Sequence, residues 1–257
     1  MYKRQDLASA VIIGHLAGDA INTNNSQGSV LIGYQAGTTQ TGGVNTYIGY
    51  DAGRYNVTGT YNTTVGFESG MNATGSSNSF FGYQAGKGGT TSAPYSSGQY
   101  NVAVGYQALD GFTTGGTNVA IGSSALGALT TAVENVAIGH EALDSATTNG
   151  YNTVIGFNAG KGASNVNYTY NVLIGRNAGK KSSGDGGDSI YNVGVGNDVL
   201  TGLNGGDKNV AIGRSAGSSI TTGTNNVLLG YDTEPSAVGG VDPVSYTHLR
   251  AHETRHD

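Results

Sequence analysis

Apolar positions along this chain come in short bursts, and the same burst keeps returning. Residues 135–139 read "NVAIG": a polar residue, two aliphatics around a small one, then Gly. Close copies stand at 101–105, 118–122 and 209–213. Anchored on the closing Gly, the pattern occurs thirteen times, at Gly14, Gly33, Gly49, Gly66, Gly82, Gly105, Gly122, Gly139, Gly156, Gly175, Gly196, Gly213 and Gly230. The commonest step between anchors is 17 residues. Longer steps hold extra Gly, Ser and Thr, as in "KGGTTSAPYSSGQY" (87–100) and "KKSSGDGGDSIY" (180–191). Extra loop length adds little closure entropy, so these read as insertions between elements. Self-similarity at such a period marks a repeat architecture, in which each unit buries its apolar face only against its neighbours.

Alternation within each burst predicts a β-strand. Val136 and Ile138 fall on one face and Ala137 on the other. Both faces are apolar in most copies, which predicts burial on both sides. The middle position varies widely: Leu31, Tyr47, Phe80, Ala103, Ala120, Val154, Leu173, Gly194, Ala211. The Val/Ile face varies far less. We therefore expect the Val/Ile face to line the inside of a coil and the variable face to meet another surface. The Gly suits a sharp bend. Three residues later comes a small residue (Ala108, Ala125, Ala142, Ala159), then Gly or Leu, then a polar loop. A helix over "HEALDSA" (140–146) is disfavoured, because recurrent Gly costs about 1 kcal/mol each in a helix.

Stacked parallel strands sit about 4.8 Å apart, so thirteen coils predict a rod roughly 60 Å long. Like residues then stack. Asn101, Asn118, Asn135, Asn152, Asn171 and Asn209 open their repeats, as do Asn45, Asn62, Asn78, Asn192 and Asn226. They are expected to form a structural ladder of amides bonded from coil to coil, with Gly105, Gly122, Gly139, Gly156, Gly175 and Gly213 as its partner column of bends.

The two ends break the pattern. "MYKRQ" (1–5) and "VSYTHLRAHETRHD" (244–257) match nothing else in the chain and resemble translated sequencing-adapter sequence. The expected organisation is an adapter-like segment 1–5, a repeat domain over 6–243 that is part of a longer protein, and a disordered adapter-like tail over 244–257. The ends hold Lys3, Arg4, Arg250 and Arg255 against Glu253 and Asp257, so without them the net charge moves from −5 to −7. An acidic chain lacks the basic patch that nucleic acid or anionic membrane demands. No run reaches the length of a membrane span, and the absence of Cys excludes disulfides and thiolate metal sites.

With the repeat in view, "NVAIG" followed by a polar pair and Ala resembles the head repeats of trimeric autotransporter adhesins (YadA-like). "IGYQAG" (32–37), "FGYQAG" (81–86) and "VGYQAL" (104–109) also resemble repeats of phage tail-fibre and related surface proteins. The resemblance covers residues 8–235 and departs in its longer, irregular spacing. It implies an all-β fold: a parallel β-solenoid, or β-roll, left-handed, of about thirteen coils, assembled as a homotrimer whose variable face packs toward the threefold axis.

Sites for chemistry are sought in vain. "GRNAGKKS" (175–182) and "GFNAGKG" (156–162) have three residues where a phosphate-binding loop has four before its Gly-Lys pair. His15 and His140 share the position after the repeat Gly with Tyr, Phe, Arg and Ser, which reads as a tolerated surface site. Hexapeptide acyltransferases need an aliphatic every sixth residue, and here it returns once per coil. Asp185 and Asp188 in "SGDGGDS" (183–189) are too few for Ca²⁺, which takes six to eight oxygens. His248, His252 and His256 in the tail form a helix-face alternative for a metal. Triplets at Asn24, Asn56, Asn72 and Asn167 are read as turn chemistry. No catalytic residue, cofactor or metal site is expected.

Aromatics are the remaining feature. Tyr34, Tyr50, Tyr83, Tyr106 and Tyr231, with Phe67 and Phe157, share the position after the Gly. Tyr61, Tyr100, Tyr151, Tyr170 and Tyr191 share the one before the Asn. They form either a structural ladder or a ligand-binding platform for glycans. The expected function is a non-enzymatic extracellular shaft or head segment of a surface adhesin or viral tail fibre, holding a binding tip away from a cell surface or virion tail. Its expected partners are itself and a host surface, glycan or matrix receptor, with neither nucleic acid nor membrane insertion. The alternatives are a glycan- or surface-binding module using stacked Tyr or Thr ladders, and a solenoid enzyme.

Overall fold

Every burst becomes a strand of three residues. They are β1 (Val11–Ile13), β2 (Val30–Ile32), β3 (Thr46–Ile48), β4 (Thr63–Val65), β5 (Ser79–Phe81), β6 (Val102–Val104), β7 (Val119–Ile121), β8 (Val136–Ile138), β9 (Thr153–Ile155), β10 (Val172–Ile174), β11 (Val193–Val195), β12 (Val210–Ile212) and β13 (Val227–Leu229). The computed structural model describes residues 9–21, 28–89, 95–162, 167–181, 187–235 and 245–246. Among these there is no helix. Each strand pairs in parallel with the next one in the chain, and like positions face each other: Val136 lies between Val119 and Thr153. One sheet runs in strand order from end to end. Thirteen strands so joined are a parallel β-solenoid of about twelve turns. From the segment expected to be a disordered tail, Ser245–Tyr246 adds a two-residue strand, β14, beside β13.

The two faces of the strands are the reverse of expectation. The variable middle residues are the core: Leu31, Tyr47, Phe80, Ala103, Ala120, Ala137, Val154, Leu173, Ala211 and Leu228 are fully buried. The Val/Ile positions face outward, half-buried to exposed, as at Ile13, Val104, Ile121, Ile174 and Ile212. Parity explains this. Asn and the middle residue are two apart, so they share one face of the strand. The Asn amides must lie inside to reach buried backbone, and they take the middle residue in with them.

Variation in the core is compensated variation. The fourth residue after the repeat Gly also points inward, and in most coils it is large where the middle residue is small; in the coil of β12 both are small, Ala211 and Gly217, and Leu200, Ile220 and Leu228 close in on Gly217 instead. Ala103, Ala120 and Ala137 accompany Leu109, Leu126 and Leu143, all buried. Leu31, Tyr47, Phe80 and Leu173 accompany Gly37, Gly53, Gly86 and Gly179. A Cβ at Gly53 would stand 2.6 Å from the Tyr47 ring, and one at Gly86 would stand 2.5 Å from the Phe80 ring. Gly194 goes further, with both Val199 and Leu200 filling its space. Close packing tolerates exchange of volume between neighbours far better than a change of total.

The bends are bought with unusual backbone. Leu109, Leu126, Leu143 and Leu200 hold φ of 50–54°, where an ordinary residue is strained by about 1–2 kcal/mol. Burying a Leu side chain returns about 1.5–3 kcal/mol, which outweighs that strain. The repeat Gly has no such option. Gly139 has φ 137°, and a Cβ there would lie 2.3 Å from the Gly156 carbonyl oxygen in the next coil.

The core is divided at the coil of β4. Thr64, Ser69, Asn56 and Asn72 stand inside, where other coils carry aliphatics. One apolar cluster holds Ile21, Leu31, Ala36, Tyr47 and Ala52; the other runs from Ala73 to Leu228. In the long insertion before β10, Tyr168 turns inward and donates its hydroxyl to the Gly179 carbonyl at 2.9 Å. Lys181 lies over its ring, 5.5 Å from the centroid, and donates to the Gly187 carbonyl.

Candidate functional site

The Asn column is the best-defined polar structure in the rod. Asn135 is buried, and its backbone N–H donates to Asn118 Oδ1 at 3.0 Å. Its own Oδ1 accepts from the backbone N–H of Asn152 at 3.1 Å, and from that residue's amide at 3.1 Å. Its Nδ2 donates to the Asn149 carbonyl at 2.9 Å and to Asn118 Oδ1 at 3.1 Å. The backbone N–H to Oδ1 link repeats without a break from Asn45 to Asn226. Asn101, Asn118, Asn135, Asn152, Asn171 and Asn209 are thus structural, satisfying backbone groups that the turn leaves unpaired inside.

The aromatics after the repeat Gly form a second ladder. His15, Tyr34, Tyr50, Phe67, Tyr83 and Tyr106 stack continuously, with centroids 4.9–5.5 Å apart and planes within 13°. Ser123 interrupts the column, and His140 and Phe157 stack beyond it at 5.1 Å. Tyr231 stands apart at the far end, where Arg214 lies over its ring at 5.3 Å and donates to its hydroxyl at 3.0 Å. The structure therefore gathers Tyr34, Tyr50, Tyr83 and Tyr106 and leaves out Tyr231. His15 and His140 join the stacks, a role that a merely tolerated surface position did not foretell.

This geometry decides what the rings offer. Their faces are turned to each other and their edges to solvent; Tyr34 is 40 % and Tyr106 53 % exposed. A sugar ring packs on an aromatic face, and inside the column those faces are occupied. On the other border of the sheet, Tyr151, Tyr170 and Tyr191 stack at 4.8–4.9 Å.

Between the two borders lies a continuous apolar surface. It comprises the outward Val or Thr and the outward Ile or Val of each strand. Over thirteen strands this is a stripe about 60 Å long and, between its borders, roughly 13 Å wide, or about 800 Å². Exposed apolar patches of that size mark interaction sites.

Ionic chemistry on the rod is local. Glu68 accepts from Lys87 at 2.6 Å and from Gln84 at 2.8 Å, and Gln84 accepts from Gln107 at 2.8 Å. Burial raises the Glu68 carboxyl, but the hydrogen bonds and the Lys87 charge outweigh it, so it titrates below its usual value. Glu141 is lowered chiefly by its hydrogen bond from Lys161. Asp110 is raised by burial.

Among the described residues no three His, Cys, Asp or Glu side chains gather as metal ligands, and no helix is long and apolar enough to cross a membrane. Asp188 accepts the backbone N–H of Asn167 at 2.9 Å. Asp185, Asn24 and the tail histidines lie outside the described residues. Asn56 accepts the Gly59 N–H at 2.8 Å, and Thr169 donates to Asn167 at 3.0 Å, both as turn contacts. No family model, curated protein or solved structure matches this chain.

Proposed function

We propose that this solenoid is a non-enzymatic structural and adhesive rod. It would serve as an extracellular shaft or head segment of a surface adhesin or viral tail fibre, and copies of it would associate side by side as a homotrimer. The observation that carries the reading is the outward Val/Ile stripe. It is too long and too apolar to stay wet on a free rod, and its area is near what each partner of a standard interface buries. The association face is therefore the Val/Ile face. The variable middle residues, expected at a threefold axis, are inside each chain. The ladders of Asn and aromatic residues serve stiffness: the Asn contact recurs from coil to coil between Asn45 and Asn226, and rings stack in runs along both borders. A glycan platform on the aromatics is the weaker reading, because the ring faces are covered within the column.

Light scattering behind size exclusion tests the proposal. A stable trimer supports it. A monomer that stays soluble at high concentration, with the Val/Ile stripe open to solvent, refutes the shaft reading and favours a ligand-binding solenoid.

A further inference from the structure

The outward face has two chemically distinct borders. One is the column just before each ladder Asn, and the other is the column just after each repeat Gly. In any cyclic assembly of parallel rods about an axis along their length, one border of a copy meets the opposite border of the next copy at the same height. We propose that these borders form the seam between copies of this chain, and that the Glu134–His140 rung sets the register. This rests on the self-association proposed above.

The sequence of each border supplies the argument. In the coil of β7 the two border residues are Thr117 and Ser123, both small and polar. In the coil of β8 they are Glu134 and His140, a carboxylate and an imidazole whose Nδ1 lies 3.6 Å from Glu141 of its own chain. In the coil of β10 they are Tyr170 and Arg176; Arg176 is 62 % exposed at its side chain and lies 3.9 Å from the Asp198 carboxylate of its own chain. Cation and ring attract across such a gap. In the coils of β4, β6 and β9 an exposed Tyr faces an exposed Phe or Tyr border. A slip of one coil can still set Tyr61 against Tyr50, Tyr100 against Tyr83 and Tyr170 against Phe157, so the aromatic rungs hold the seam without fixing its height; Glu134 would then meet Ser123 or Phe157 and lose its imidazole partner. One rung runs the other way, with Lys208 and Arg214 both basic, and there Arg214 is turned along its own chain onto Tyr231.

The two borders of one chain are not neighbours. Thr117 and Ser123 lie beyond the two ends of the segment Asn118–Gly122, which itself spans about 13 Å, whereas a disulfide needs Cα atoms within about 7 Å. The chain contains no Cys, so introduced thiols report only on each other. The test is oxidation of the full chain carrying Thr117→Cys and Ser123→Cys, read on a non-reducing gel beside light scattering. The expected result is ready cross-linking between copies, ending at the size of the native assembly. The control is Thr117→Cys with Phe157→Cys, two coils apart and displaced by about 10 Å; it should not cross-link. A second measurement uses charge. Glu134→Lys should weaken assembly several-fold at pH 7, and His140→Glu in the same chain should restore it.

An oligomer in which the matched pair fails to cross-link, or cross-links no better than the displaced pair, overturns the seam while leaving self-association standing. A monomer overturns both. Failure of His140→Glu to restore the Glu134→Lys variant also counts against the seam.

Discussion

Replacing Ala137 by Leu in the eighth coil puts a second large side chain into a space already filled by Leu143. Overpacking a tight core costs about 1–3 kcal/mol. Replacing Leu143 by Gly does the opposite. It removes a fully buried side chain and opens a cavity, at about 3–5 kcal/mol for comparable truncations. About 1 kcal/mol of that returns, because Leu143 sits at φ 50° and Gly is unstrained there. The single variants are thus expected to lose about 2 and 3 kcal/mol. Together they recreate the Leu173/Gly179 arrangement that the chain already uses in the coil of β10. The double variant should fall within about 1.5 kcal/mol of the parent, the range of volume-conserving exchanges. The coupling between the two sites is then several kcal/mol and favourable, read as a double-mutant cycle from guanidinium unfolding followed by circular dichroism. Additive losses, leaving the double variant about 5 kcal/mol worse, would refute the idea that these positions share one volume.

Other consequences follow from the ladders. Asn135→Ala removes the acceptor of the buried Asn152 N–H and the donor to the Asn149 carbonyl; at about 1–3 kcal/mol for the orphaned N–H, the melting midpoint should drop sharply, and a loss under about 1 kcal/mol would contradict the structural role. Gly139→Ala meets both a forbidden φ and the Gly156 carbonyl at 2.3 Å, so it should cost more than about 3 kcal/mol, whereas Ser123→Ala on the outside should be near neutral in the same melts. Glu68 titrates below its usual 4.5 in the folded chain, so its contribution is whole above that pH and is lost as pH falls below it. Glu68→Gln should flatten the acid side of the stability curve by at most about 1 kcal/mol, and an unchanged acid limb would show that the Lys87 pairing contributes nothing.

The strands, their parallel order and the solenoid were legible in the sequence because they depend on local pattern. A three-residue apolar alternation closed by Gly, repeated at a near-constant period, has few other ways to bury itself. The Asn ladder was legible for the same reason, since like residues stack wherever coils stack. The sense of the strand was not. Alternation separates Val136 and Ile138 from Ala137, but it does not say which set is inside. Tertiary structure decided that through Asn135, whose amide must reach backbone groups of two neighbouring coils. The pairing of Ala137 with Leu143 was present in the sequence as a correlation, but without the fold, variation at the middle position looked like freedom. The aromatics carry the same lesson. Their shared position in the repeat predicts a column, while only the stacked geometry shows that His15 belongs to it, that Tyr231 does not, and that the rings turn their faces to one another. Local sequence determines which residues recur together. Which of them is buried depends on where unpaired backbone groups fall once the coil has closed.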